Sequence, residues 1–544
     1  MICESHVARL GAQTLVLAAC VALVACGGGG GGGGGAGFSM PISSSTTPPA
    51  SAANTSPVPS AQVDAAVAKL DDMAADVMKR SGIPGMAVAV VRDGRVVYAK
   101  GFGVRRVGSP ERIDADTVFQ LASLSKPIAA TVVAELVGRG VVSWNTPAVS
   151  RLPGFRLSDP VVTQQVTIGD FFAHRSGLPA TAGDKLEDLG FDRATILQRM
   201  RDVPLLPYRT TYGYANFGLT AGAEAAANAA GVEWATLSDR TLYQPLGMKV
   251  TSSRFADFMQ RANRATPHVK SDGTYQALYQ RQPDEQSPAG GVSSSVSDVA
   301  QWMSLIVQNG TYGGRILVTP EALLPAISEQ IANSKPEDPS VRPNFYGYGF
   351  NVARTSAGRV KLSHSGAFML GSGTAFTAIP AAGVAIVTLT NAAPVGAAET
   401  VNLSFEELIE SGTTRDWFPL LAQRFLEFYD PEGSLAGQSP PSQPIAALGS
   451  NAYTGTYTSS YYGNAMVQDS GSGLVLKMGP TGARTFALRH WTGNTYVFEP
   501  SGENAPPGSI SKIEFTPGVA GVSGSLTMEY YAEDTTHGTF VRTP

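Results

Sequence analysis

The chain has 544 residues, of which 43% are hydrophobic and 15% charged, and its formal net charge at pH 7 is −4. That length allows more than one domain and a large core, and a charged fraction below the ~25% of an average globular protein excludes a polyelectrolyte. The slight acidity excludes a general nucleic-acid binder, which needs a basic surface to displace phosphate counterions.

Residues 1–26 read as a leader. An uncharged apolar run, Ala12 to Ala25, follows Arg9 and ends in Leu23-Val24-Ala25-Cys26. The run is shorter than the ~20 residues of a comfortable membrane span. Its end resembles the lipobox of bacterial lipoproteins. That resemblance implies acylation of Cys26, membrane contact only through a lipid anchor, and an address in the bacterial periplasm or cell envelope. By the same resemblance, Gly27 after the cysteine favours the outer membrane; an ordinary secretory signal, or a start codon chosen too far upstream, is the alternative. The glycines Gly27 to Gly35 and a Ser/Thr/Pro/Ala stretch then make residues 27–60 a flexible tether, because such composition cannot bury a core. Cys3, Cys20 and Cys26 are the chain's three cysteines, so the rest of the chain holds no disulfide framework, thiolate metal site or cysteine nucleophile. The scattered histidines show no His-Glu-x-x-His spacing, so no metal is expected, and no motif asks for a cofactor.

The body, residues 61–430, opens with helical spacing from Ala61 to Arg80, where Val63, Ala66, Val67, Leu70 and Met73 share a side. Met86 to Val91 and Arg95 to Tyr98 flank Asp93-Gly94 and predict a β-hairpin. Helices follow Ser123 and Asn216. A second hairpin is predicted from Thr374–Ile379 and Val384–Leu389. Strands at both ends with helices between them give an α/β or α+β class, with the terminal strands in one antiparallel sheet. Composition shifts near Asp430, and residues 431–449 read as a linker. Residues 450–544 carry seven strand-like runs with turn signals and no helical period. These are Tyr453–Tyr457, Leu474–Lys477, Thr485–Arg489, Thr495–Glu499, Ile510–Phe515, Leu526–Tyr531 and Thr539–Val541, and they predict a small antiparallel barrel or sandwich.

Phe119-Gln-Leu-Ala-Ser123-Leu-Ser-Lys126-Pro127 carries the chemistry. A helical offset of three puts Ser123 and Lys126 on one face. A serine hydroxyl needs a base to become a nucleophile, and a lysine serves when desolvation lowers its pKa. The spacing alone says little, since it recurs at Ser509-Ile-Ser-Lys512, which reads as strand surface. Order adds the weight: Tyr214-Ala-Asn216 follows Ser123, and His364-Ser-Gly366 precedes the last hairpin of the body.

These three motifs in this order resemble the class C β-lactamase-like serine hydrolases, including their esterases, D-aminopeptidases and penicillin-binding relatives. Leu178-Pro179 after His174-Arg-Ser-Gly177, Pro245-Leu-Gly-Met248, Ala289-Gly-Gly-Val292 before Asp298, and Tyr346-Gly-Tyr-Gly349 agree with it. The resemblance implies a β-lactamase/transpeptidase-like fold, an antiparallel sheet flanked by helices, over about residues 61–411. It implies that Ser123 is the acylated nucleophile and that Lys126 and Tyr214 share the proton transfers. Asn216 would bond Lys126 or the acyl group. His364, Gly366 and Ala367 would form the substrate-binding and oxyanion strand, with the N–H groups of Ser123 and Ala367 as the oxyanion hole. His174 would be a structural loop residue. The carboxy-terminal segment resembles the lipocalin-like barrel appended to many of these hydrolases, so His490 and Trp491 are expected to pack within it. A homo-oligomer joined through the barrel is one arrangement this allows.

His364 stands where β-lactamases and carboxypeptidases of this kind carry the lysine of Lys-Thr-Gly. An unperturbed imidazole, pKa ~6.5, is mostly neutral at pH 7 and anchors a substrate carboxylate poorly. The sequence therefore implies a hydrolase of small-molecule ester, amide or peptide bonds, acting through an acyl-enzyme. A β-lactamase or D-Ala-D-Ala carboxypeptidase is the first alternative, and a non-catalytic envelope-binding lipoprotein is the second.

Overall fold

The structure, a computed structural model, describes residues 53–336, 338, 342–532 and 537–543. The leader, Cys26 and most of the expected tether lie outside the described residues.

The helix expected over 61–80 is two helices, α1 (Ser60–Val67) and α2 (Leu70–Ser81). Between them Lys69 N–H bonds Ala66 O in a tighter turn. The break re-phases the apolar positions, so that Leu70, Ala74 and Val77 continue the buried stripe. The hairpin forms as β1 (Gly85–Arg92) and β2 (Arg95–Gly103). Its turn residues Asp93 and Gly94 both have positive φ, 50° and 74°, as a tight two-residue turn between twisted strands requires.

The central part supplies α3 (Ser125–Gly138), α4 (Asn216–Ala230) and α5 (Val296–Val307). It is followed by β3 (Ile331–Ala332), β4 (Phe345–Tyr346), β5 (Asn351–Arg354), β6 (Val360–Phe368), β7 (Ser372–Ile379) and β8 (Val384–Thr390), then α6 (Ala397–Ser411). The sheet order is β2-β1-β8-β7-β6-β5-β4-β3, and every pairing is antiparallel. The first and last long strands thus sit side by side, as expected. One face packs on α1, α2 and α6 through Val88, Val90, Ile386, Val401 and Phe405. The other buries Ala87, Ala89, Phe376, Val387 and Leu389 against the central helices, with Trp302 of α5 on Phe376. Because both faces are covered, β1 and β8 read as nearly continuous apolar runs rather than alternating ones.

The expected tether boundary at Ser60 moves. Asn54 N–H bonds Gly358 O (3.1 Å) and its amide bonds Ala357 O (3.0 Å), while Ser56 O accepts from Arg359 Nε (2.8 Å) and Val58 is buried. These groups satisfy the exposed backbone of the β5–β6 hairpin. The linker over 431–449 is also docked rather than free. Glu432 pairs with Ser509 and Ile510, Ile445 N–H bonds Thr492 Oγ1, and Leu448 N–H bonds the Tyr453 hydroxyl.

The carboxy-terminal domain is a nearly closed antiparallel barrel of nine strands: β9 (Gly455–Ser459), β10 (Gly463–Asp469), β11 (Leu474–Met478), β12 (Arg484–Ala487), β13 (Arg489–Thr492), β14 (Thr495–Phe498), β15 (Ser511–Pro517), β16 (Ser523–Met528) and β17 (Thr539–Arg542). Its edge strands β12 and β13 are joined through Leu488 alone. Two strands escaped the sequence reading. β10 buries only Ala465 and Val467 among polar residues, too little apolar contrast to register. β13 continues the run of β12 after a corner at Leu488.

Candidate active site

The nucleophile segment is held in place before any side chain chemistry begins. Phe119–Gln120 pairs with Ser293–Ser294, Leu121 N–H bonds Val292 O (2.8 Å), and Val292 N–H bonds Ser125 Oγ (3.0 Å). From the sheet side, Ser372 Oγ donates to Gln120 O (2.6 Å) and Thr374 Oγ1 to Leu121 O (2.8 Å). So clamped, Ala122 adopts φ +49°, a conformation that costs an alanine on the order of 1 kcal/mol. Ser123 lies on the 3₁₀ turn Ala122–Leu124, and the helix expected to follow it, α3, begins at Ser125. The tighter turn keeps the Ser–Lys offset of three on one face.

Lys126 is fully buried and donates from Nζ to Ser123 Oγ (3.0 Å), Asn216 Oδ1 (2.7 Å) and Ala289 O (3.0 Å). All three of its donor positions are used. Burial lowers its pKa to about 7, against the opposing pull of the Asp184 carboxylate. The expected base is therefore free of its proton in a substantial fraction of molecules at neutral pH.

Tyr214 faces the same centre, with Lys126 Nζ over its ring, 4.6 Å from the centroid. Its hydroxyl is buried and closes no hydrogen bond in this resting arrangement. A neighbouring ammonium alone would favour the phenolate. The structure gives the opposite balance: burial raises the Tyr214 pKa, and the Ser123 hydroxyl beside it only partly offsets this. Tyr214 is a neutral phenol here. Asn216 opens α4 and reaches Lys126, the contact expected of it.

His364 comes to the centre but not as a free donor. Its Nδ1 lies 2.6 Å from Ser365 O and its Nε2 2.9 Å from the Tyr346 hydroxyl. A carbonyl only accepts, so Nδ1 carries the proton and Nε2 accepts from Tyr346. Burial and the Lys126 charge lower the imidazole pKa to about 3, although the bond donated to Ser365 O opposes them. His364 is neutral throughout the physiological range, as expected, while both nitrogens are engaged by the chain itself. It stands beside Tyr214, with ring centroids 6.4 Å apart.

Gly366 is required sterically. A Cβ there would stand 2.1 Å from Leu121 O and 2.3 Å from Thr374 Oγ1. Its bare backbone lets β6 lie against the Ser123 turn. β5 pairs with β6 only from Val360 to Ser363, so beyond Ser363 that edge of β6, Ala367 included, is left open on the side away from β7. Gly349 does the same from another direction: it has φ +76°, and a Cβ would meet Lys126 O at 2.6 Å. His174 accepts from Ala215 N–H (3.2 Å), between Tyr214 and Asn216. His490 bonds Gly493 O within the barrel and Trp491 is buried there.

Sequence reasoning missed three participants. The Ala289 carbonyl and Tyr346 lie inside motifs quoted for their order alone. Asp184, which accepts from Asn216 Nδ2 (2.9 Å), follows a loop of small residues and carries no sequence signal.

A serine on a clamped, strained turn beside a buried lysine, over the end of an antiparallel sheet, defines a Ser-x-x-Lys protein of the β-lactamase-like class. Residues 70–407 match the family described as Beta-lactamase, and the chain belongs to that family. Residues 439–540 match a domain of unknown function, DUF3471. An unguisins hydrolase of Aspergillus violaceofuscus is 26% identical over 58% of this chain and 59% of its own. Penicillin-binding protein 4 of Amycolatopsis lactamdurans is 28% identical over 57% of this chain and 81% of its own. Esterase EstB of Burkholderia gladioli is 31% identical over 34% of this chain and 50% of its own. The chain spans 59% and 62% of the length of the two unguisins hydrolases it matches. An octameric penicillin-binding protein homologue from Pyrococcus abyssi superposes with a TM-score of 0.56 at 17% identity, over 85% of this chain and 98% of that one, a likeness of fold.

Proposed function

We propose that the protein is a serine hydrolase that cleaves ester, amide or peptide bonds through an acyl-enzyme on Ser123. The observation that carries this is Lys126 Nζ, buried, with a pKa of about 7, at 3.0 Å from Ser123 Oγ. Ser123 Oγ adds to the substrate carbonyl while its proton passes to Lys126. The N–H groups of Ser123 and Ala367 hold the oxyanion. Collapse breaks the bond to the leaving group, which takes a proton from Tyr214, a neutral phenol able to give one; Lys126 returns a proton to Tyr214. Water then adds to the ester on Ser123 and gives a proton to Lys126; collapse breaks the bond between Ser123 Oγ and the acyl carbon, Ser123 Oγ takes that proton, and the acid is released. The hydrolase, penicillin-binding protein and esterase among the relatives support the class.

The preferred substrates are small and uncharged. His364, in the place of a lysine, brings no permanent cation and no free N–H to meet a carboxylate. Nitrophenyl esters of short acids are expected to be turned over faster than nitrocefin. The leader supports an address in the bacterial envelope, with Cys26 lipidated. The assignment of Ser123 is tested with a fluorophosphonate followed by peptide mapping. The adduct is expected on Ser123 and absent from Ser123→Ala, which should also lose turnover by several orders of magnitude. An adduct on Ser125 or Ser365 of an active preparation overturns it.

A further inference from the structure

One buried acid near the centre has no role in the reaction just described. Asp184 is buried at the start of the short helix Asp184–Asp188. Its Oδ2 accepts from Asn216 Nδ2 (2.9 Å), and Asn216 Oδ1 accepts from Lys126 Nζ (2.7 Å). Its Oδ1 is buried with no hydrogen-bond partner. A carboxamide has one accepting and one donating end. The ammonium demands the accepting end and the carboxylate the donating end, so the two charged groups fix the amide between them. An amide held by Lys126 alone could turn its NH₂ toward Nζ and lose the contact.

We propose, on the reading of Ser123 and Lys126 given above, that Asp184 is a positioning residue for the general base. Its carboxylate locks Asn216 with Oδ1 toward Lys126 and stabilises the ammonium formed when Lys126 takes the Ser123 proton. A buried carboxylate lacking a full set of partners costs stability; its compensating charge here is Lys126. The groups that face this pair are few. Lys126 is faced by Asp184, Tyr214, His174 and His364, of which both histidines are held neutral by burial. Asp184 is faced by Lys126, Glu187 and Asp188. Burial raises the Asp184 pKa and lowers that of Lys126, while each charge opposes the other's shift. The helix itself is anchored to the barrel. Gly183 N–H bonds the Tyr461 hydroxyl (2.9 Å), Lys185 Nζ bonds Tyr530 O, and Asp188 accepts from the N–H groups of Glu503 and Asn504 (both 3.0 Å).

The test is the pH dependence of fluorophosphonate labelling of Ser123 in the full chain, a readout that needs no natural substrate. Labelling of the wild type should rise through an acid limb near pH 7 as Lys126 loses its proton. In Asp184→Asn the ammonium loses both its counter-charge and its locked acceptor, and both losses move the limb to lower pH. The expected shift is at least half a pH unit, roughly threefold more of the plateau rate retained on the acid side. Asn216→Ala cuts the same contact from its other side and should move the limb the same way. Adding Asp184→Asn to it should move the limb by less than it does alone. If Asp184→Asn does not fold, Asn216→Ala carries the test alone. A limb unchanged in the folded variants overturns the proposal, whatever happens to the plateau rate, because a merely structural Asp184 would lower the rate or the melting temperature without moving the limb. A wild type that is not labelled on Ser123 overturns instead the functional reading on which the proposal rests.

Discussion

His364 shows how burial, rather than residue type, sets chemistry at this site. Its folded pKa of about 3 lies well below the ~6.5 of an exposed imidazole. Between those values the unfolded chain binds a proton that the folded chain refuses, so stability falls as the pH drops from about 6.5 toward 3, by up to ~1.4 kcal/mol per pH unit for one group. His174 is displaced in the same direction. The melting temperature is therefore expected to fall between pH 7 and pH 5, and His364→Gln should fall less steeply over that range; equal slopes would mean His364 takes a proton while folded. The acid limb of Ser123 labelling should persist in His364→Gln, since it belongs to Lys126. At this scale the sequence revealed which residues meet but not how they divide the labour. Ser-x-x-Lys, Tyr-x-Asn and the histidine were legible because spacing and order survive in a linear chain. That Tyr214 stays a phenol, and that Asp184 backs Asn216, depend on desolvation and on contacts between distant segments.

At the scale of elements, the site is a meeting of a turn and a strand end that glycine alone permits. Gly366 on β6 lies so close to the Ser123 turn that a methyl group would overlap Leu121 O and Thr374 Oγ1. Gly366→Ala must part β6 from the turn, and overpacking of this kind costs ~1–3 kcal/mol. It also moves Ala367 relative to Ser123, and a displacement of about 1 Å at a reacting centre costs on the order of 100-fold in rate. The variant is expected to melt several degrees lower and to be labelled at least tenfold more slowly than wild type at pH 8, where Lys126 is deprotonated in both. Wild-type labelling would show that the strand does not form the oxyanion wall. The glycine was visible in the sequence, but its reason was not, because the nearest atom, Leu121 O, belongs to a residue far away in the chain. Secondary structure was legible where contrast was strong, as in the Asp93-Gly94 hairpin and in β11 with its alternating Leu474, Leu476 and Met478. It failed at β10, where the buried face is one alanine and one valine.

In the molecule as a whole, barrel and body form one structure rather than a catalytic domain with an appendage. Both domains contribute to a single apolar core, and a cluster of charges is buried between them. Arg281 pairs with Glu187, also reached by Gln286, and lies 3.8 Å from Glu503 of the barrel. Glu503 accepts from the N–H groups of Met369 (2.6 Å) and Leu370 (3.3 Å), in the turn that ends β6 just beyond Ala367. The same barrel segment grips Asp188, at the end of the Asp184 helix. The barrel thus holds two walls of the site from outside, which composition and spacing could not reveal. At the other end, a chain beginning at Asn54 should match the full chain in melting temperature, whereas one beginning at Ser60 should melt lower for want of the Asn54, Ser56 and Val58 contacts. The stronger test concerns Glu503. Glu503→Gln keeps the shape, but one of its two positions now donates, so it cannot accept from both N–H groups. Leaving a buried donor unpaired costs ~1–3 kcal/mol, and the loss falls on the turn that positions Ala367. The variant should melt several degrees lower and be labelled on Ser123 severalfold more slowly, while the body without residues 431–544 should be unstable and unlabelled. If Glu503→Gln melts lower yet is labelled at the wild-type rate, the barrel stabilises the body without shaping the site. If the isolated body is folded and labelled normally, the barrel is an appendage after all.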